Sequence, residues 1–221
     1  MRAAKSARGV TLIEIAVALA ILAIVTALGV ATMSGARPRM DVNSMSAQFA
    51  AKVGEAQVRA LRNRRDVWLI IYVSGGPDEA TENGGYFIYE PLSGTFNFAG
   101  YSVADGPAAQ TPGDVVSSHL WFRPEIKSGR VSFADPPAAI PLDGPFAGTT
   151  VNQACTFCTD HADGFRGAMV FSPDGEVMFR NGDGDDSGLT QGVVTLTSNL
   201  NDTSGHKAIA VSATGLTRVT K

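Results

Sequence analysis

Apolar positions follow three different rhythms along the chain. From Val10 to Met33 they are almost continuous, with one acid, Glu14, near the start. As a helix these 24 residues would extend about 36 Å, enough to cross a bilayer core of ~30 Å. Next, Val42, Met45, Phe49, Val53, Ala56 and Ala60 recur at three- and four-residue steps and give one apolar stripe. Lys52, Glu55, Arg59 and Arg62 lie off that stripe, and Glu55 to Arg59 is a favourable i,i+4 pair. Pro38 removes the hydrogen bond to Ser34 and, with Gly35 nearby, predicts a kink or local opening over 34–40. The reading is one long bent helix over about 10–64, with its second half lying in a groove of the domain that follows.

From Asp66 onward the rhythm becomes that of strands. Val67–Val73 is β-branched and aromatic and ends at Gly75-Gly76-Pro77-Asp78. Further strands are expected at Tyr86–Glu90, Thr95–Phe98, Leu120–Arg123, Arg130–Phe133, Gly167–Phe171, Val177–Phe179, Val193–Thr197, Ala208–Ser212 and Leu216–Thr220. Ser172-Pro173-Asp174-Gly175 and Thr214-Gly215 have hairpin-turn chemistry. The segments 104–114 and 134–150 are rich in Pro, Gly and Ala and read as loops. The fold class is α+β: a long kinked N-terminal helix, with a transmembrane half and a docking half, then an antiparallel β-sheet or sandwich domain. The expected divisions are a leader at 1–9, a membrane half at 10–33, an amphipathic half at 34–64 and a β-rich domain at 65–221.

The start of the chain carries the most specific chemistry. Arg2, Lys5 and Arg8 precede Gly9, and Arg8-Gly9-Val10-Thr11-Leu12-Ile13-Glu14 opens the apolar run. A carboxylate at the centre of a bilayer costs roughly 2.5–3.5 kcal/mol, so an acid inside a span is by default functional. An ordinary secretory signal, cut near Ala31 or Ala36, would have an apolar region of only about 7–15 residues and no reason to hold an acid.

The segment resembles the prepilin-type signal of type IV pilins and type II secretion pseudopilins. The resemblance implies cleavage by a prepilin peptidase after Gly9 and N-methylation of Val10 as the first mature residue. It also implies that Glu14 is a carboxylate used in subunit assembly. Val10 departs from the phenylalanine or methionine more common there. Cleavage would create an α-amino group four residues before Glu14, with the carboxylate only about 6 Å deeper along the helix. Glu14 could then pair with its own amine or with that of a neighbour.

The helical spine with Ala56-Gln57-Val58-Arg59-Ala60, the immediate strand at Val67 and the Val170-Phe171-Ser172-Pro173-Asp174-Gly175 hairpin resemble the GspH/FimT (FimU) branch of minor pilins. That branch implies a low-abundance subunit that primes filament assembly and sits at the filament tip. It also implies a location in the bacterial inner membrane, single-pass with a periplasmic C-terminal domain, before entry into a pilus or pseudopilus. The partners would be other minor and major pilins or pseudopilins, the prepilin peptidase, the inner membrane and a tip adhesin.

Charge narrows the partners further. The chain has 18 basic and 21 acidic residues, and loss of Arg2, Lys5 and Arg8 with the leader leaves about −6. An acidic domain repels nucleic acid unless a local patch overrides it. Some FimT-type members carry a basic Gly-Arg-x-Arg stretch for DNA uptake. Here Gly215-Leu216-Thr217-Arg218 keeps the glycine and the last arginine but not the first, so nucleic acid is not an expected partner.

Roughly 155 residues beyond the helix suffice for one domain with its own core. Cys155-Thr156-Phe157-Cys158 admits three readings. A thioredoxin-type redox motif needs a helix N-terminus and a βαβ context that the surroundings lack. A zinc site would join His161, with His119 or His206 as a distant fourth ligand. A small-loop disulfide is the default in an oxidising compartment.

Asn181-Gly182-Asp183-Gly184-Asp185-Asp186-Ser187 alternates oxygen donors with glycine. Asp183, Asp185 and Asp186 could hold calcium, or the segment could be a solvated turn. A helix–loop–helix calcium hand is excluded, because no glutamate stands at the twelfth position. There is no Gly-x-Ser-x-Gly elbow, no phosphate-cradling glycine loop and only three histidines, so no enzyme is expected. Three functions stay open: a minor pilin of a type IV pilus, a pseudopilin of type II secretion, and a DNA-binding pilin.

Overall fold

The computed structural model describes residues 12–75, 77, 84–92, 96–103, 106–122, 131–198 and 205–220, and of 29–38 only the backbone. Helix α1 runs unbroken over Leu12–Asn63. The expected opening at Pro38 is therefore not an interruption of the helix; loss of one N–H leaves the rest of the hydrogen-bond ladder in place. Two compact units divide between Arg37 and Pro38.

In the first unit the described side chains run Leu12 to Leu28, and all are exposed. Among the described residues no helix is long and apolar enough to cross a membrane. The membrane half expected over 10–33 includes Val10, Thr11 and the side chains of 29–33, which lie outside the described residues.

The second unit begins with the docking part of α1. Val42, Met45, Phe49, Val53, Ala56 and Ala60 are all buried, as the stripe requires. Among the described residues twelve strands follow: β1 (Val67–Tyr72), β2 (Gly85–Glu90), β3 (Val115–Trp121), β4 (Val131–Phe133), β5 (Ile140–Pro141), β6 (Thr150–Val151), β7 (Thr159–His161), β8 (Gly164–Phe171), β9 (Val177–Arg180), β10 (Gln191–Ser198), β11 (His206–Ser212) and β12 (Thr217–Thr220). One sheet has the order β3-β2-β1-β8-β7, with β9 also paired to β8; a second has the order β12-β11-β10-β4; β5 and β6 form a small ribbon. Every pairing among the described strands is antiparallel.

The alternation of side chains along each strand distributes the apolar residues over three cores. Leu69, Ile71 and Ile88 of the first sheet, and Val194, Leu196 and Ile209 of the second, meet the α1 stripe in the central core. Phe49 lies edge-on to Tyr86 at 5.1 Å and to Phe133 at 5.7 Å. The opposite face of the first sheet, through Ile70, Tyr72, Phe87 and Tyr89, is covered by Phe98, Tyr101 and Val103. The opposite face of the second sheet, through Val193, Ala208 and Ala210, is covered by Ile140, Leu142, Phe146 and Val151. Strands covered on both sides lose the polar half of the alternation, which is why β1 and β2 read as nearly unbroken apolar runs.

Three sequence expectations need correction here. Phe96–Phe98, the described part of the strand expected at Thr95–Phe98, is not a strand; its rings cap Trp68 and Tyr89 instead. The strand expected at Leu120–Arg123 starts earlier, at Val115, and ends at Trp121. The segment 134–150 is not a plain loop, since β5, a 3-10 turn at Gly144–Phe146 and the start of β6 fold there over their own apolar core.

Candidate functional site

Glu14 stands in the first turn of α1. Gly9 and Val10, the expected cleavage junction, lie outside the described residues. Around Glu14 the helix is apolar on every side: Leu12 is 86% exposed, Ile13 71%, and Ile15, Val17, Leu19, Ile21, Leu22, Ile24, Val25 and Leu28 all more than half. Thr26, a polar residue in that run, turns its hydroxyl back onto the carbonyls of Leu22 at 2.8 Å and Ala23 at 3.0 Å. A helix apolar all round needs lipid or other protein to cover it.

The docking half is fixed to its sheet by charge as well as packing. Glu55 receives Lys52 Nζ at 2.6 Å and Arg59 Nη2 at 2.5 Å, so the expected Glu55–Arg59 pair forms. Those cations also reach β3: Lys52 donates to Ser118 Oγ at 3.0 Å and Arg59 to Ser117 Oγ at 2.6 Å. The hydrogen bond from Lys52 holds the Glu55 carboxyl below its usual range, with Arg59 adding to the effect against partial burial. At the end of α1, Asn63 donates to Glu90 at 2.7 Å.

Cys155 and Cys158 form a disulfide, with Cα atoms 5.5 Å apart. Both sulfurs are thereby used, so the zinc reading of this pair does not hold. The clasp lies against β10: Thr195 N–H donates to Ala154 O at 2.7 Å and Thr156 N–H to Val193 O at 3.0 Å. Phe157 packs on Phe179 at 5.4 Å. A three-residue separation leaves a tight local loop that holds its segment against the core.

The acidic stretch folds as a turn organised by Asn181. Its Oδ1 accepts the N–H groups of Asp183 at 3.0 Å and Asp185 at 2.9 Å, and its own N–H donates to Asp185 O at 3.0 Å. Asp186 accepts the N–H of Gly188 at 2.9 Å. Among the described residues no group of three or more His, Cys, Asp or Glu is placed to hold a metal ion.

Arg166, on β8, is the polar residue that sequence reasoning missed. It is fully buried. Its Nε donates to Gly182 O at 3.0 Å, Nη1 to Tyr101 O at 2.5 Å and Tyr72 Oη at 3.0 Å, and Nη2 to Phe98 O at 2.9 Å. His161 Nε2 lies 3.0 Å from Nη2, and Asp163 is an outer ion-pair partner at 3.5 Å. The guanidinium also lies 4.5 Å from the centre of the Phe98 ring. Burial pushes the Tyr72 phenol up to about 12, so it stays protonated beside this cation. The signal available in the sequence is one arginine at an inward position of an otherwise apolar strand, Gly164–Phe171.

Arg218, the arginine retained from the DNA-uptake pattern, is already forked onto Asp143: Nε to Oδ1 and Nη2 to Oδ2, both at 2.7 Å. This bidentate contact ties β12 to the turn that carries Gly144 and pairs the arginine's charge with a carboxylate.

Residues 4–30 match the family model described as the prokaryotic N-terminal methylation motif. No curated protein and no solved structure matches the chain. The motif supports a type IV pilin-like protein, a pilin or pseudopilin, which is a structural class and not an enzyme class. The motif implies, in general, assembly with pilins or pseudopilins.

Proposed function

We propose that this protein is a minor pilin that primes a type IV pilus and sits at its tip, after cleavage by prepilin peptidase and passage through the inner membrane. The observation that carries the reading is the methylation motif over an apolar helix exposed on all sides, which leads directly into a β domain. Membrane residence precedes assembly: the exposed run needs lipid until neighbouring helices replace it. The GspH/FimT branch is favoured by the step from the α1 stripe straight into β1, by the β8–β9 hairpin at Ser172–Gly175, and by the closing pair β11–β12. The Arg218–Asp143 fork speaks against a DNA-uptake role.

Gold labelling of an epitope-tagged protein on sheared filaments tests the tip position. The expected result is label at one end of each filament, with far fewer filaments in a strain lacking the protein. Label distributed along the shaft would contradict a tip subunit.

A further inference from the structure

Where α1 gives way to β1, a cavity of about 540 Å³ opens in the β domain. Among the described residues its wall includes Arg64, Arg65 and Arg180, the rings of Trp68 and Phe96, and the acid Asp66. Three features of this wall call for explanation. First, Arg64 has φ +53°, in the left-handed region. It follows the last residue of α1, Asn63, and Arg65 N–H reaches back to Ala60 O at 3.3 Å, as in a glycine-terminated helix. Glycine takes that conformation at no steric cost, whereas a residue with a Cβ is strained in it. A strained residue retained beside a cavity points from conformation to function.

Second, Arg180 Nε is buried and has no hydrogen-bond partner among the described residues. The Nη2 of that side chain contacts Met178 Sδ at 3.6 Å. A buried guanidinium N–H without an acceptor is costly unless something else supplies one. Third, none of the three arginines is in an ion pair among the described residues. Asp183 and Asp185 flank Gly184 on one rim, but their loop is closed by Asn181 and not by these arginines. Basic residues at a helix C-terminus do complement its dipole. That effect accounts for Arg62 and for the charge of Arg64, but not for the backbone strain of Arg64 or the unmet donor of Arg180 on β9.

We propose that this cavity binds a small organic oxyanion, its phosphate- or carboxylate-class group held by Arg64, Arg65 and Arg180 and its flat apolar body set against Trp68 and Phe96. Guanidinium forks match planar and tetrahedral oxyanions through paired N–H donors. The volume falls within the ordinary range for small-ligand sites, and a few convergent charges on an apolar wall are what such sites present. The Trp68 and Phe96 rings, 5.0 Å apart and edge-on, form the apolar side.

Isothermal titration of the full-length protein in detergent micelles, with phenyl phosphate and inorganic phosphate as probes, tests this. Phenyl phosphate should bind saturably at one site and more tightly than inorganic phosphate. Arg180→Gln should weaken it about tenfold or more, the effect of losing one charge-assisted hydrogen bond. Arg64→Gly should also weaken binding while melting no lower than the wild type, because glycine relieves the backbone. That combination separates a binding role from a structural one and holds even if Arg180→Gln fails to fold. Absence of saturable heat with either probe, or unchanged affinity in Arg64→Gly, would overturn the site. Equal affinity for the two probes would overturn the role given to Trp68 and Phe96.

Discussion

Glu14→Ala protein is expected to accumulate in the membrane and to be missing from filaments. In the proposed assembly the first turn of α1 enters a bundle of like helices from which water is excluded. A carboxylate there needs a cation, and cleavage after Gly9 provides one, the Val10 α-amine of an adjacent subunit. Pairing two buried charges adds little net stability, yet removing one partner leaves the other uncompensated, at roughly 3–5 kcal/mol. Membrane insertion should be unaffected or easier, since a polar group has left the apolar run. Glu14→Asp should be intermediate, its shorter side chain reaching less well. Sheared filaments and membranes, separated and probed for each variant with the peptidase intact, give the answer. Glu14→Ala at wild-type level in the filament fraction would refute the pairing role.

The second large effect is expected at Arg166. Methionine there keeps much of the volume and removes every donor. The carbonyls of Phe98, Tyr101 and Gly182 and the Tyr72 hydroxyl then lose their partner inside the domain. Each unsatisfied buried acceptor costs about 1–3 kcal/mol, so Arg166→Met should destabilise the domain by roughly 3–5 kcal/mol after relaxation. For a domain of this size that corresponds to a fall in melting temperature on the order of 10 °C. Arg166→Lys should recover little of it, because an ammonium cannot reproduce the fork that spans Gly182, Tyr101 and Phe98. Urea unfolding of the full-length protein, followed by tryptophan fluorescence, measures both. A loss under about 1 kcal/mol for Arg166→Met would show that the arginine is not what fastens the 96–103 segment to the sheet.

The different fates of the sequence expectations have physical causes. The α1 stripe was legible because the helical repeat puts Val42, Phe49, Val53 and Ala60 on one side whatever they pack against. β1 and β8 were legible because they are apolar on both faces. β3 begins ahead of the expected strand because Ser117, Ser118 and His119 interrupt its apolar pattern; the two serines receive Arg59 and Lys52 from α1. The β5–β6 ribbon was hidden by Pro136, Pro137 and Gly144, although Ile140, Leu142, Phe146 and Val151 supply its core. Phe96 and Phe98 alternate as in a strand, yet they serve as a lid of rings over the first sheet.

The candidate sites divide in the same way. Glu14 and the glycine junction could be recognised because a membrane-length apolar run makes any acid conspicuous. The cysteine clasp needed only the short spacing and an oxidising compartment. Arg166 and the Arg64–Arg180 cavity depend on residues far apart in sequence, and no local pattern marks them.

The central claim, a processed pilin-like subunit, rests on what happens at Gly9. Mass analysis of the N-terminal peptide of the protein recovered from the cell envelope tests it most directly. The expected peptide begins at Val10 and carries one methyl group on its amine, and it disappears in favour of the uncut leader when the prepilin peptidase is deleted. A mature terminus at Thr32 or Arg37, insensitive to that deletion, would contradict the account and return the segment to an ordinary secretory signal.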